Sequence, residues 1–314
     1  MKIIVTGALG FIGSNLVKKL NELGHFDLTL VDDESSDKIN NIKGLKYQEL
    51  VPINDFIKSL KNYKNYDVIF HLGAISLTTE QDENIFKKYN LDYSSALLNF
   101  SLTNHIPLIY ASSAATYGDG SVGFLDEISP LDLYPLNPYG RSKNDFDKIV
   151  VTSDLTSQVV GLKFFNVYGP NEAHKNSMAS MIYHGFNQIS KKGCISLFKS
   201  TKEELFDGEQ CRDFVYVDDV IDVMIFMMNH PEISGLFNVG TGHARSFNDL
   251  ARVIFTTLDK PVNIKYIDMP LQLSKQYQNF TEANLNKLRS VGYTNKFHTL
   301  EEGVKDYISN YLLG

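Results

Sequence analysis

Only two cysteines, Cys194 and Cys211, occur in the 314 residues. That is too few for a disulfide framework or a thiolate metal site, and it fits a reducing compartment. No apolar run approaches the roughly 18 residues that span a bilayer, and the longest candidate, near Val223 to Met228, is far too short. The first apolar run, Lys2 to Thr6, is interrupted at once by Gly7 and lacks a signal peptide's apolar stretch and cleavage site. Basic runs are missing as well: Lys and Arg total 30 against 37 Asp and Glu, a net charge of −7. Such a chain does not coat nucleic acid or an anionic membrane, so any anionic ligand must be met by a few placed cations. No His, Cys and Asp cluster has metal-ligand spacing, and no metal is expected. The chain has no internal repeat and no low-complexity linker. These absences lead us to expect a soluble cytoplasmic protein with no nucleic-acid or membrane partner.

What is present is an ordinary globular composition, 43% hydrophobic and 21% charged. At about 150 residues per domain, the length allows two. Short apolar runs alternate with amphipathic stretches, the pattern of βαβ units around a parallel sheet. Strands are predicted at Ile3–Val5, Leu28–Val31, Val68–Phe70, Leu108–Tyr110 and Val159–Lys163. Helical spacing joins Ile12, Leu16, Leu20 and Leu23, and again Leu91, Leu97, Leu98 and Leu102. After Asn166 the rhythm breaks into a polar loop and then a mixed region, which marks a domain boundary. The polar stretch Lys199 to Gln210 reads as an exposed loop or hairpin.

Gly7-Ala8-Leu9-Gly10-Phe11-Ile12-Gly13 follows the first strand and opens the first helix. Glycines there let the backbone approach a pyrophosphate at the positive end of the helix dipole. The second strand ends in Asp32-Asp33, where a carboxylate accepts from ribose hydroxyls and repels a 2′-phosphate; Lys38 is the one nearby cation. Tyr139 and Lys143 are four apart on a helical stretch beginning at Pro138, so they share a face. The ammonium is expected to lower the phenol's pKa and make Tyr139 a proton acceptor from an alcohol. Ser113, closing the fourth predicted strand's segment, is placed to donate to a developing ketone oxygen.

These residues, with His71-Leu72-Gly73-Ala74, Asn90, Arg212-Asp213-Phe214-Val215-Tyr216 and Phe237-Asn238-Val239-Gly240-Thr241-Gly242, resemble the extended short-chain dehydrogenase/reductases that modify sugar nucleotides. The resemblance covers nearly the whole chain. It implies a doubly wound parallel-sheet (Rossmann) α/β domain with a smaller mixed α/β substrate domain. The first would comprise residues 1–165, with roughly 216–242 and 279–294 returning. The second would comprise 166–215, 243–278 and 295–314. The dinucleotide would contact Gly7, Gly10, Phe11, Ile12, Gly13, Asp32, Asp33, Lys38, Leu72, Gly73, Ala74, Ile75, Ser76, Asn90, Lys143 and Val167.

Ala114-Ala115 stands where dehydratases of the family carry an Asp-Glu pair, which removes the general acid for elimination. Phe165 to Ser180, with its His174-Lys175-Asn176-Ser177-Met178-Ala179-Ser180 run, is similar instead to a branch that inverts C6 of a nucleotide-activated heptose. That branch implies a hydride taken from C6 and returned to the opposite face, with Tyr139 and Lys175 as acid/base groups and Ser113 assisting. Lys175 needs a depressed pKa for this task, from burial or a nearby cation. Asn166, Ser177, His184, Phe198, Lys199, Ser200, Arg212 and Tyr277 would line the nucleotide-sugar site. Arg212 suits a diphosphate, or else pairs with Asp213 or Asp218.

The cofactor is NADP by resemblance and NAD by the chemistry of Asp32 and Asp33; in either case it is tightly bound and not consumed. Alternatives are a 4-epimerase or reductase, an enzyme for a GDP-linked heptose, and a non-catalytic dinucleotide sensor. The resemblance further implies a homo-oligomer formed through helices near Leu91–Leu102 and Asn144–Val151.

Overall fold

The computed structural model describes residues 1–35, 37–78, 80–274 and 277–313. Its centre is a parallel sheet built from β1 (Ile3–Thr6), β2 (Leu28–Val31), β3 (Glu49–Val51), β4 (Val68–His71), β5 (Leu108–Ser113) and β6 (Val159–Phe164). A late strand joins them at one edge. In chain order the remaining strands are β7 (Asn166–Tyr168), β8 (Ile195–Phe198), β9 (Cys211–Arg212), β10 (Phe214–Tyr216), β11 (Gly235–Val239), β12 (Arg245–Ser246) and β13 (Ile264–Ile267). The sheet order is β11-β6-β5-β4-β1-β2-β3, so the winding reverses between β1 and β4. Ligands of such sheets bind outside the carboxyl ends at that reversal.

The strands are apolar runs because both faces are covered. Ile3 and Val5 pack into one core with Val68 and Phe70, whereas Ile4 and Ile69 point into the other with Leu108 and Tyr110. Helices α1 (Phe11–Glu22) and, further along the chain, 217–229 cover the first face. On the second face lie α2 (Tyr93–Asn104) and α3 (Pro138–Thr152). The stripe expected on α1 ends one residue early: Leu23 lies just past the last helical turn and is exposed, because Gly24, at φ +84°, turns the chain away.

Beyond β6 the chain builds three two-stranded pairs, β10–β7, β12–β9 and β13–β8. Between them run α4 (Met181–Lys192), α5 (Val217–Asn229) and α6 (Phe247–Thr257), and α7 (Leu300–Tyr307) follows. The fold is thus a doubly wound α/β sheet with a smaller mixed α/β region. The polar stretch after β8 is a loop rather than a hairpin. Its tip exposes Phe206, but its end is buried, because Gln210 donates to the Lys199 carbonyl at 3.1 Å. Among the described residues, no helix is long and apolar enough to cross a membrane.

Candidate active site

The glycine loop lies at the reversal point, joining β1 to α1. Gly7 has φ +68°, and a Cβ there would sit 2.6 Å from the Gly73 nitrogen. Gly13 packs so closely on the same turn that a Cβ would meet the Gly7 carbonyl carbon at 2.8 Å and Ala8 Cα at 2.9 Å. Gly10 is the N-cap of α1. The cradle therefore closes on itself through Gly7, Gly13 and Gly73, and the first-turn N–H groups of Phe11, Ile12 and Gly13 point along the axis toward a ligand.

Asp32 is buried beside this loop, accepting from Leu9 N at 3.0 Å and Asp33 N at 2.9 Å, with Lys38 Nζ 3.7 Å away. Burial pushes its carboxyl above the ordinary value, and Lys38 opposes that. Asp33 accepts from Ile53 N at 3.0 Å. Beyond β4, Gly73 N donates to Thr6 Oγ1 at 3.2 Å, and the segment Leu72 to Ser76 passes over the cradle. Asn90 fixes that segment: it accepts from Ile75 N at 2.8 Å and donates to Ile75 O at 3.0 Å and Ser142 Oγ at 2.9 Å. It sits on a π-helical turn, Lys87–Asp92, immediately before α2. Its amide is thus spent on the chain itself, which places it beneath the cofactor segment.

Tyr139 and Lys143 occupy one face of α3. Pro138 starts that helix, and the Asn137 side chain caps it by accepting from Gly140 N at 2.8 Å. Lys143 is buried, donates to the Ala111 carbonyl at 2.8 Å, and is pushed down to about 8 by desolvation. Tyr139 is half-buried, with the Ser113 side chain near its phenol. Its pKa corrects the sequence expectation. Desolvation raises the phenol above 10; the Ser113 hydroxyl lowers it and Asp147 raises it further. Lys143 does not overcome the burial, because its ammonium is turned onto the β5 backbone.

A second cluster comes from the region after β6. Lys175 lies on a 3₁₀ segment, Ala173–Met178, with Nζ 5.4 Å from the centre of the Phe11 ring. It is half-buried, and desolvation pulls its pKa below the usual 10.5. Arg212 is buried, and its guanidinium lies 4.8 Å from the Tyr277 ring centre and 5.7 Å from that of Phe247. Among the described residues it has no carboxylate partner. Asp213 is committed elsewhere, accepting from Thr241 N at 2.7 Å, Gly242 N at 2.9 Å and Ala283 N at 3.0 Å. Its Nη1 donates to the Cys211 carbonyl at 2.8 Å, but a buried guanidinium without a counter-charge is costly unless an anion completes it.

Other expected contacts are not joined to these clusters. Lys199 is exposed and ion-paired with Asp268 at 2.9 Å, Ser200 Oγ turns back to the Lys202 carbonyl at 2.9 Å, and Phe198 ends β8 half-buried. Asn166 and Ser177 are exposed, Val167 is half-buried in β7, and His184 makes an edge contact with Tyr183 at 5.9 Å. No hydrogen bond or ring contact joins Tyr139 to Lys175 among the described residues.

Four residues went unassigned in the sequence. His71 is a neutral imidazole, its nitrogens 2.7 Å from Thr6 Oγ1 and 2.8 Å from Ser94 Oγ, with its pKa lowered to about 3 by burial and then by Lys143. Asn41 donates to the Leu9 carbonyl at 2.9 Å and lies 3.3 Å from His174 Nδ1, tying the cradle to the Lys175 segment. Asp147 and Lys163 form a wholly buried ion pair at 2.7 Å behind α3. Asp147 carried a signal, one more step of four residues after Lys143, and His71 stood in the His71-Leu72-Gly73-Ala74 motif without a role of its own; Asn41 and Lys163 are brought in from distant segments. Among the described residues no group of three His, Cys, Asp or Glu is placed to hold a metal.

The model of the NAD dependent epimerase/dehydratase family matches residues 3–240. A Fusobacterium nucleatum protein named ADP-L-glycero-D-manno-heptose-6-epimerase is 47% identical, over 99% of this chain and 98% of its own. The solved Helicobacter pylori ADP-L-glycero-D-manno-heptose-6-epimerase superposes with a TM-score of 0.84 at 30% identity, over 98% of this chain and 96% of that one. A UDP-N-acetylglucosamine 4-epimerase from Methanobrevibacter ruminantium reaches a TM-score of 0.85 at 24% identity, covering 99% and 98%, a likeness of fold.

Proposed function

The chain belongs to the NAD dependent epimerase/dehydratase family, and from that premise we propose how its residues invert C6 of a nucleotide-activated heptose, converting ADP-D-glycero-D-manno-heptose to the L-glycero epimer. It is an isomerase with a nicotinamide dinucleotide cofactor, and the cradle fits one: Gly7 and Gly13 let the loop close on the chain's own backbone, and α1 opens directly from it with its first-turn N–H groups available to a pyrophosphate. When bound, the dinucleotide would supply a reversible hydride acceptor for C6. Gly7 to Gly13 would hold the pyrophosphate, Leu72 to Ser76 the passage toward the sheet edge, and Lys143 the ribose next to the reacting ring.

The observation carrying the proposal is that two proton-transferring side chains stand on separate elements. Tyr139 is on α3, one turn before the buried Lys143, with Ser113 near its phenol, and Lys175 lies over Phe11 at the start of α1. Inversion requires the C6 ketone to show both faces to one hydride donor, so a proton must be managed on each side. One group takes the hydroxyl proton as the ketone forms; the other returns a proton from the opposite face. Ser113 donates to the ketone oxygen, and Lys143, near 8, is mostly protonated at neutral pH. Arg212 and Tyr277 hold the diphosphate end of the substrate. On this reading Tyr139→Phe and Lys175→Met each abolish inversion while retaining bound cofactor, and full activity in Lys175→Met rejects the role given to it.

The dinucleotide is NAD in this reading. Lys38, the cation that would meet a 2′-phosphate, is already faced by Asp32 at 3.7 Å, with Asp33 adjoining. Denaturing the protein should release a dinucleotide with the mass of NAD; a mass larger by one phosphate overturns this assignment. The division into a cofactor domain and a substrate domain, and assembly through the α2 and α3 faces, belong to the same proposal.

A further inference from the structure

Glu172 is a carboxylate without a task in the reaction above. It is wholly buried, and it closes the Lys175 loop from within. One oxygen accepts from Ser180 N at 2.6 Å, and the other accepts from Ser180 Oγ at 2.6 Å and Gly169 N at 3.4 Å. Those donors flank the segment, one before Lys175 and one after it. The far side of the loop is fastened to the cofactor cradle. Asn171 donates to Ser14 Oγ at 3.0 Å, and Asn15 donates to the Pro170 carbonyl at 2.9 Å. Between these anchors the loop holds Asn176 at φ 50°, ψ −120°, a conformation that persists only when its surroundings enforce it.

Neutral side chains would supply such a clamp without the cost of burying a charge. A charge at this position acts on Lys175, three residues on, whose backbone N–H donates to the Glu172 carbonyl at 2.9 Å; burial raises the Glu172 carboxyl and Lys175 opposes that. The other titratable group facing Glu172 is the Tyr307 hydroxyl from α7, with Tyr183 of α4 behind it, whereas His174 faces Lys175, Lys38 and Asp32. Burial draws the Lys175 ammonium toward neutrality, and Glu172 restrains it.

We propose that Glu172 is a positioning residue that clamps both ends of the Lys175 loop and serves as the counter-charge governing how readily Lys175 releases its proton. This rests on the reading of Lys175 as the second acid/base group. The test is the pH profile of kcat for inversion, measured on cofactor-loaded wild type, Glu172→Gln, Glu172→Asp and Lys175→Met. In Glu172→Gln one limb of the profile moves to lower pH by about one unit, because a nearby opposite charge has been lost. The other limb stays, KM changes less than about twofold, and Glu172→Asp returns the moved limb most of the way. Unmoved limbs, two limbs moving together, or Glu172→Asp matching Glu172→Gln overturns the proposal.

Lys175→Met separates the two levels. Full inversion there removes the acid/base reading itself, whereas an inactive Lys175→Met beside an unmoved Glu172→Gln profile removes only the role of Glu172. If Glu172→Gln fails to retain cofactor, the wild-type protein still decides. Its lysines are reductively methylated with 13C-formaldehyde, and the Lys175 signal is identified by its loss in Lys175→Met. Titration of that signal should inflect twice, once for the amine and once for the neighbouring carboxyl; a single inflection overturns the proposal.

Discussion

Replacing Lys163 by methionine isolates the buried charge behind the Tyr139 helix. Asp147 accepts from Tyr110 Oη at 2.8 Å, Ser112 Oγ at 2.7 Å and Lys163 Nζ at 2.7 Å, and both members of the ion pair are wholly buried. Lys163 also donates to Thr116 Oγ1 at 2.8 Å and lies 5.1 Å from the centre of the Tyr117 ring. Methionine fills much of the same volume but leaves the carboxylate with two neutral donors and no paired cation, Lys143 being the next charge that feels it. Breaking a buried pair in this way costs about 3–5 kcal/mol. At roughly 2 °C per kcal/mol for a chain of this size, the melting point drops by about 6–10 °C. Neutralising the partner as well, in Lys163→Met/Asp147→Asn, recovers most of the loss, because the orphaned charge is gone. Urea unfolding of the four proteins of this cycle, each with cofactor bound, measures both quantities. A loss below about 1 kcal/mol in Lys163→Met, or a double variant no more stable than the single, refutes the argument. The consequence reaches the site, since Ser112 adjoins Ala111, whose carbonyl holds Lys143.

Two shorter expectations follow from the same geometry. Arg212→Met should raise KM for the nucleotide-sugar by about tenfold to a hundredfold, the worth of a lost charge-assisted contact, with a smaller change in kcat; an unchanged KM contradicts the diphosphate assignment. His71 has a folded pKa near 3 against an ordinary 6.5. Its contribution to stability is therefore complete above about pH 6.5 and is lost as pH falls toward 3, since the unfolded chain binds the proton first. The slope attributable to it is at most about 1.4 kcal/mol per pH unit, and His71→Gln should flatten the stability curve in that window relative to wild type. Identical curves contradict the neutral, doubly bonded imidazole.

Much of this architecture was written in local pattern. The runs Ile3-Ile4-Val5 and Val68-Ile69-Phe70 are continuous because each residue faces one of two cores, and the spacing of Tyr139 and Lys143 fixes a shared helix face. The glycine loop was equally legible, since its geometry is decided within seven residues. What was not legible depends on segments far apart in the chain. The raised Tyr139 phenol follows from burial that no spacing reports, and the Lys143 ammonium is diverted to Ala111, 32 residues away. Lys199 is expected near the nucleotide, and its ion pair with Asp268, just past β13, joins segments too far apart for local pattern to show. Arg212 had Asp213 as an obvious neighbour in sequence, yet that carboxylate caps the turn after β11 and leaves the guanidinium free of carboxylates. Glu172 lay inside a quoted motif, but its connection to Gly169 and Ser180 exists only in the folded loop.

The central claim is a hydride borrowed and returned at C6, with no net oxidation. Purified protein is incubated with ADP-D-glycero-D-manno-heptose, without added cofactor or reductant, and the C6 configuration is followed by NMR. The account predicts inversion to an equilibrium mixture over many turnovers. Absence of inversion, or turnover only in proportion to added reductant, contradicts it.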